Sequence, residues 1–169
     1  MTSACSAERT DRLESAAAIG WDAIVVGAGP AGSIAARQIA RAGKSVLLVD
    51  KATFPRSKVC GSCLNATGAA LLERIGLGHL LGDLGAEPLD EIALAAAGRS
   101  VCLGIPRGGA VVSRAALDAA LVSEAVTAGA MFHGATRARL QPLWPVSDRA
   151  TGTTDDTQPN ADRRVVELS

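Results

Sequence analysis

The stretch Asp22–Lys51, DAIVVGAGPAGSIAARQIARAGKSVLLVDK, decides the fold. It reads as a strand over Ala23–Val26, a glycine-rich turn, a helix, and a second strand that ends in an acid. Such a unit holds the adenosine diphosphate half of a dinucleotide. Gly27 allows the tight turn after the first strand, and Gly29 has no Cβ, so the backbone can approach a pyrophosphate. Gly32 lets the helix pack against the strand. Pro30 suits the first helical turn, whose N–H groups are unpaired, and Ala36 keeps the buried helix face small. The positive end of the helix dipole adds to the anion site. Ala36, Ile39 and Val46 to Leu48 are apolar and are expected between helix and sheet, with Gly43 ending the helix. Asp50 stands where an acid accepts hydrogen bonds from a ribose hydroxyl, with Lys51 beside it. Its charge would repel a 2′-phosphate, which disfavours NADP at this position and leaves FAD or NAD.

Working outward, the chain has 169 residues, enough for one domain with a core. Formal net charge is zero, so no nucleic acid or acidic membrane partner is implied. Hydrophobic residues make up 48% but aromatics only 2%, so the core must come from Ala, Val, Leu and Ile. No apolar run is long enough to span a bilayer. Residues 1–20 carry Glu8, Arg9, Asp11, Arg12 and Glu14 and read as a disordered polar leader rather than a signal peptide, which gives a cytoplasmic location by default.

Beyond the first unit, residues 52–64 read as a loop. Asn65 to Ile75 is expected to be helical, with Leu71, Leu72 and Ile75 on one face and Gly76 as its stop. Gly78 to Leu84 adds one turn. Ile92 to Ala96 and Ser100 to Leu103 are expected to form a hairpin around Gly98-Arg99. Ala110 to Ser113 reads as a strand, and Arg114 to Ala128 as a helix burying Leu117, Leu121, Ala125 and Ala128. Ala130 to His133 and Thr136 to Leu140 are candidate strands. Residues 146–163 read as a solvated polar loop, and 164–169 as the start of a strand with no partner after it.

The cysteines are Cys5, Cys60, Cys63 and Cys102, expected as thiols, and their spacing makes no metal site. Cys60 and Cys63 form a CxxC without the thioredoxin-like context a working dithiol requires. Arg56 and Lys58 are either a solvated basic pair or cofactor contacts. His79 and His133 read as surface or partly packed residues.

Three motifs in order support a family resemblance: GAGPAG at Gly27–Gly32 with Asp50-Lys51, FPRSKVCGSCL at Phe54–Leu64, and VSRAALD at Val112–Asp118. Over roughly Asp22 to Leu140 the chain resembles the N-terminal part of FAD-dependent oxidoreductases of the geranylgeranyl reductase and aromatic hydroxylase type. The second motif is the specific one and favours the reductase group.

The resemblance implies an α/β, Rossmann-like, three-layer FAD-binding domain over residues 21–145. It implies that Gly27, Ala28, Gly29, Pro30, Ala31 and Gly32 lie against the FAD pyrophosphate. Asp50 and Lys51 would be at the adenosine ribose, Arg56 near the cofactor, and Cys60, Gly61 and Ser62 toward the flavin. Arg114 would reach back to the cofactor, and Ala138 would make a backbone contact to adenine. No catalytic residue is assigned, although Cys60 is the candidate nearest the flavin.

It further implies NAD(P)H as electron donor and a small, hydrophobic substrate. The flavin would reduce an unsaturated, isoprenoid-like substrate or, alternatively, support monooxygenation. A nicotinamide dehydrogenase domain is a weaker alternative, because it has no need of the second motif. Family members also carry a later glycine–aspartate element, and Gly82-Asp83 comes too early to be it. The expectation is therefore an N-terminal part of a longer enzyme, inactive in isolation, or a non-catalytic dinucleotide-binding piece.

Overall fold

The computed structural model describes residue 16 and residues 19–105, 108–140 and 166–168. Strand β1 (Ala23–Val26) leads through the glycine turn into helix α1 (Pro30–Arg41) and strand β2 (Val46–Val49). The first two strands pair in parallel, Ala23 opposite Val46 through Val26 opposite Val49. Strand β3 (Cys63–Asn65), helix α2 (Ala66–Arg74) and helix α3 (His79–Asp83) follow. Next come β4 (Glu87–Pro88), β5 (Glu91–Ala96), β6 (Arg99–Gly104) and β7 (Gly109–Val111). Helix α4 (Arg114–Thr127) and strands β8 (Met131–His133), β9 (Ala138–Leu140) and β10 (Val166–Leu168) complete the order. The class is mixed α/β, as the sequence implied.

Strand β2 is central in the parallel sheet β1–β2–β8, and all four of its residues are buried. Its side chains alternate between two cores, as strand geometry requires. Val46 and Leu48 pack with Ala28, Ala36, Val122, Ala125 and Ala130, between the sheet and helices α1 and α4. Leu47 and Val49 point to the opposite face, where they meet Ala16, Trp21, Ile24, Ala138 and Leu168. Leu47 is thus not between helix and sheet, a correction that follows from the two-residue period of a strand.

Ala16 falls within the stretch read as a polar leader, yet it is buried, and its carbonyl accepts from the Trp21 indole at 2.9 Å. The remainder of that leader, apart from Ile19 and Gly20, lies outside the described residues, as does the polar loop at 146–163.

Helix ends follow their local chemistry. Gly43, Gly76 and Gly129 have φ near +75°, +77° and +105°, which only glycine adopts freely just after a helix. Asn65 precedes α2 rather than opening it, and its side chain accepts from the Gly68 N–H at 2.8 Å. Arg37, buried on α1, ties three elements together: it donates to the Ile75 carbonyl at 3.0 Å and pairs with Glu124 of α4 at 3.4 Å.

Two further corrections concern strands. The end of the loop at residues 52–64 is strand β3, which pairs antiparallel with β7, Cys63 opposite Val111. The last strand is not partnerless: Val166 pairs with Leu140 and Leu168 with Ala138, antiparallel. Its partner precedes it in the chain, and Leu168 closes the second core.

Candidate functional site

The site lies at the carboxyl ends of the parallel strands, where open α/β sheets bind ligands. Chain segments there are laced together by backbone hydrogen bonds. Gly27 N–H donates to the Val49 carbonyl at 2.7 Å, and Asp50 N–H to the His133 carbonyl at 3.0 Å. Thr136 N–H donates to the Asp50 carbonyl at 2.9 Å and Ala135 N–H to the Ala52 carbonyl at 3.0 Å. A cavity of about 440 Å³ opens at this edge, lined among others by Gly27, Asp50, Lys51, Arg56 and Ala138. Five sequence-predicted site residues therefore share one cavity.

The glycine turn has the shape its residues demand. Gly27 has φ of +102°, a conformation that strains any residue with a Cβ. A Cβ on Gly32 would run into the Gly27 carbonyl, so the close helix–strand approach depends on that glycine. A Cβ on Gly29 would meet no backbone. It would instead lie 3.2 Å from Arg56 Nη2 and 3.6 Å from Arg114 Nη2. Two guanidinium heads therefore hang over Gly29, while the Cβ direction at Gly27 meets open space. Ala28 is fully buried, and Pro30 takes a first-turn position of α1. Ala31 follows as the second residue of that helix.

Those two arginines belong to a charge cluster built on Asp118, which is wholly buried on α4. Arg114 Nε donates to Asp118 Oδ1 at 2.6 Å. Arg56 Nη2 lies 3.3 Å from Asp118 Oδ2, and its Nη1 donates to Asp50 Oδ2 at 2.9 Å. Asp50 also accepts from Ala28 N–H at 2.8 Å and Ala52 N–H at 2.9 Å. Charges alternate along this line, and each carboxylate has charge-assisted donors, so burial is compensated. The Arg56 guanidinium sits 5.2 Å from the centre of the Phe54 ring, which in turn packs edge-on against Phe132.

Cys60 marks the far end of the line. Arg114 Nη1 points at its sulfur from 3.9 Å. The Cys60 thiol is held below the ordinary thiol range, first by a hydrogen bond from the Ser62 backbone and then by the Arg114 guanidinium. Arg114 is in turn held above its ordinary value, mainly by its hydrogen bond to Asp118. Cys60 and Cys63 are both exposed, and Cys63 donates to the Gly61 carbonyl at 3.0 Å. Ser62 takes a positive φ of 55°, while Gly61 faces open space.

Sequence reasoning missed Asp118 as a site residue. The available signal was an acid four residues after Arg114, next to the buried positions Leu117 and Leu121. It also missed Thr136, Arg137 and Arg139, which line the cavity from the β8–β9 side. Among the described residues no group of His, Cys, Asp and Glu gathers to hold a metal, and no helix is long and apolar enough to cross a membrane.

A family model described as an FAD binding domain matches residues 21–161. Menaquinone reductase of Mycobacterium tuberculosis is 56% identical over 62 residues, covering 37% of this chain and 15% of that protein. Digeranylgeranylglycerophospholipid reductase 2 of Methanopyrus kandleri is 36% identical over 118 residues, covering 65% of this chain and 27% of that protein. The chain thus spans well under a third of the length of these relatives. Among solved structures, the myxobacterial chondrochloren halogenase, an FAD-dependent enzyme, superposes with a TM-score of 0.62 at 25% identity, covering 70% of this chain and 29% of that one.

Proposed function

This chain belongs to the FAD binding domain family, and from that membership we propose that it holds the ADP half of FAD in an enzyme reducing an unsaturated, isoprenoid-type substrate. The observation that carries the reading is the pair of guanidinium heads within 3.2 and 3.6 Å of the Cβ position at Gly29. They supply positive charge where a diphosphate would approach the turn.

The residues present fit the cofactor. Gly27, Gly29, Pro30, Ala31 and Gly32, with the buried Ala28 among them, form the diphosphate cradle in this reading. Asp50, Lys51 and Ala138 line the cavity of about 440 Å³ that this reading gives to the nucleoside. Arg56 and Arg114 hold the diphosphate, and Cys60, Gly61 and Ser62 extend from Arg114 toward the flavin end. FAD, when bound, supplies the electron chemistry; the chain's residues bind, orient and tune it. No general acid or base is therefore required of this part.

Reduction of an isoprenoid-type substrate is supported by the names of the mycobacterial and archaeal relatives; NAD(P)H as donor is carried by the motif resemblance alone. FAD-dependent monooxygenation is the second reading, supported by the fold shared with a halogenase. The test is anaerobic. NADH or NADPH is added to the FAD-loaded protein at the full length of its relatives, followed by a polyprenyl quinone, while flavin absorbance is read. Bleaching by the nicotinamide and recovery on adding the quinone, with a product whose polyprenyl chain has gained two hydrogens, support the reductase reading. Bleaching that recovers only on admitting oxygen, with hydroxylated product, supports the second. A flavin that nicotinamide never bleaches contradicts the donor assignment in both.

A further inference from the structure

The three hydrogen bonds to Asp50 raise a question of capacity. A carboxylate offers about four acceptor positions. Ala28 N–H and Arg56 Nη1 occupy Oδ2, and Ala52 N–H occupies Oδ1. About one position remains, whereas a ribose presents two adjacent hydroxyls. For Asp50 to accept both, one present donor must leave.

Two of the three donors are backbone groups fixed by the fold. Ala28 is fully buried behind the turn, and Ala52 is pinned by the Ala135 N–H on its carbonyl. Arg56 is a side chain and has other anchors. Its Nη2 and Nε face Asp118, and its guanidinium rests on the Phe54 ring. It can release Asp50 through a small rotation without leaving the cluster. The same guanidinium already lies 3.2 Å from the Cβ position of Gly29, at the diphosphate's approach.

Resting on the dinucleotide reading above, we propose that Arg56 gates the ribose seat of Asp50 and opens it only for a ligand carrying a diphosphate. A diphosphate arriving over Gly29 takes the Arg56 Nη1 donor, and the freed Asp50 lone pair accepts the second ribose hydroxyl. A nucleoside without phosphates offers Arg56 no such exchange and must compete with an internal ion pair. The site thereby selects a nucleoside diphosphate over the bare nucleoside by more than the phosphate contacts alone. Arg56 is a specificity-determining residue in this account, and Asp118 is the fixed anchor about which it turns.

The experiment measures adenosine and ADP binding by ligand-observed NMR, to the unaltered chain and to Arg56→Met, and adenosine binding also with inorganic pyrophosphate present. Methionine keeps an apolar stem for the Phe54 ring and removes the gate. Adenosine is expected to bind about fivefold more tightly to Arg56→Met than to the unaltered chain, because the competent form is no longer a minority. ADP is expected to bind about tenfold more weakly, because a charge-assisted contact is gone. Adenosine affinity that is unchanged or weaker in the variant overturns the gate, since a plain phosphate contact would not move it upward.

Inorganic pyrophosphate supplies a readout that needs no variant. In the unaltered chain, saturating pyrophosphate draws Arg56 off Asp50, and adenosine binding strengthens about fivefold. Adenosine affinity that is unchanged or falls on adding pyrophosphate overturns the gate even if the variant fails to fold. The two readings separate cleanly. A chain that binds neither ADP nor FAD defeats the dinucleotide reading and the gate with it. One that binds ADP, with adenosine indifferent to Arg56 and to pyrophosphate, defeats the gate alone.

Discussion

Strand β2 and the hairpin β5–β6 are both apolar stretches, and they meet opposite fates. All four residues of β2 are buried, with parallel neighbours on both edges and side chains in two cores. In the hairpin every residue of both strands is exposed. Ile92 pairs with Leu103 and Leu94 with Val101, so four apolar side chains share one face, and each keeps about half its surface open. The difference lies in where the partner comes from. The β2 strand finds β1 and helix α1 within its own thirty-residue unit, and β8 and helix α4 complete its burial from later in the chain, whereas among the described residues nothing covers the hairpin's face. Alternation along a strand tells which side chains share a face; it does not tell what lies opposite.

That contrast is open to attack, beginning where the effect is largest. Gly32→Val forces a side chain into the Gly27 carbonyl at the heart of the β1–α1 packing. It should cost more than about 4 kcal/mol, enough to unfold a marginal domain, measured by urea denaturation. Leu48→Ala, in the core between sheet and helices, should cost about 2–5 kcal/mol in the same assay. Asp118→Asn strips the buried anchor from Arg56 and Arg114 and should cost about 2 kcal/mol while weakening ADP binding.

A smaller effect concerns reactivity rather than stability. The Cys60 thiol is lowered by the Ser62 backbone and the Arg114 guanidinium, so its thiolate persists to lower pH than an ordinary thiol's. Iodoacetamide labelling at Cys60 should fall off only as pH drops through that lowered value. Arg114→Met should move the whole profile to higher pH; an unmoved profile would remove Arg114 from the account of the thiol. Smallest of all is Leu94→Ala on the exposed hairpin face, expected to change stability by less than about 0.5 kcal/mol. A loss comparable to that of Leu48→Ala would show that the face is covered in solution.

Much of the β1–α1–β2 unit was legible because its signals are local: a glycine that must bend, a helix period, and an acid one strand later. The cavity residues Gly27, Asp50, Lys51, Arg56 and Ala138 came from the same pattern and the resemblance. What escaped was long-range. Asp118 sits sixty-two residues from Arg56 in sequence, and no spacing rule links them. The pairing of β10 with β9 spans a compositionally polar stretch, so neither strand announces the other. Asp50 showed its position but not its occupancy, because the arginine that fills it comes from a loop with no periodicity.

The central claim is that the glycine turn and the arginines over it hold a flavin dinucleotide. An absorbance titration of the purified chain with FAD, run beside Gly29→Val, tests it most directly. The valine meets arginine side chains rather than backbone, so the fold should survive at some cost in stability while the diphosphate's approach is blocked. The account predicts a bound-flavin spectrum for the unaltered chain and its loss in a variant that remains folded by circular dichroism. Equal binding by both proteins, or none by the unaltered chain, would contradict it.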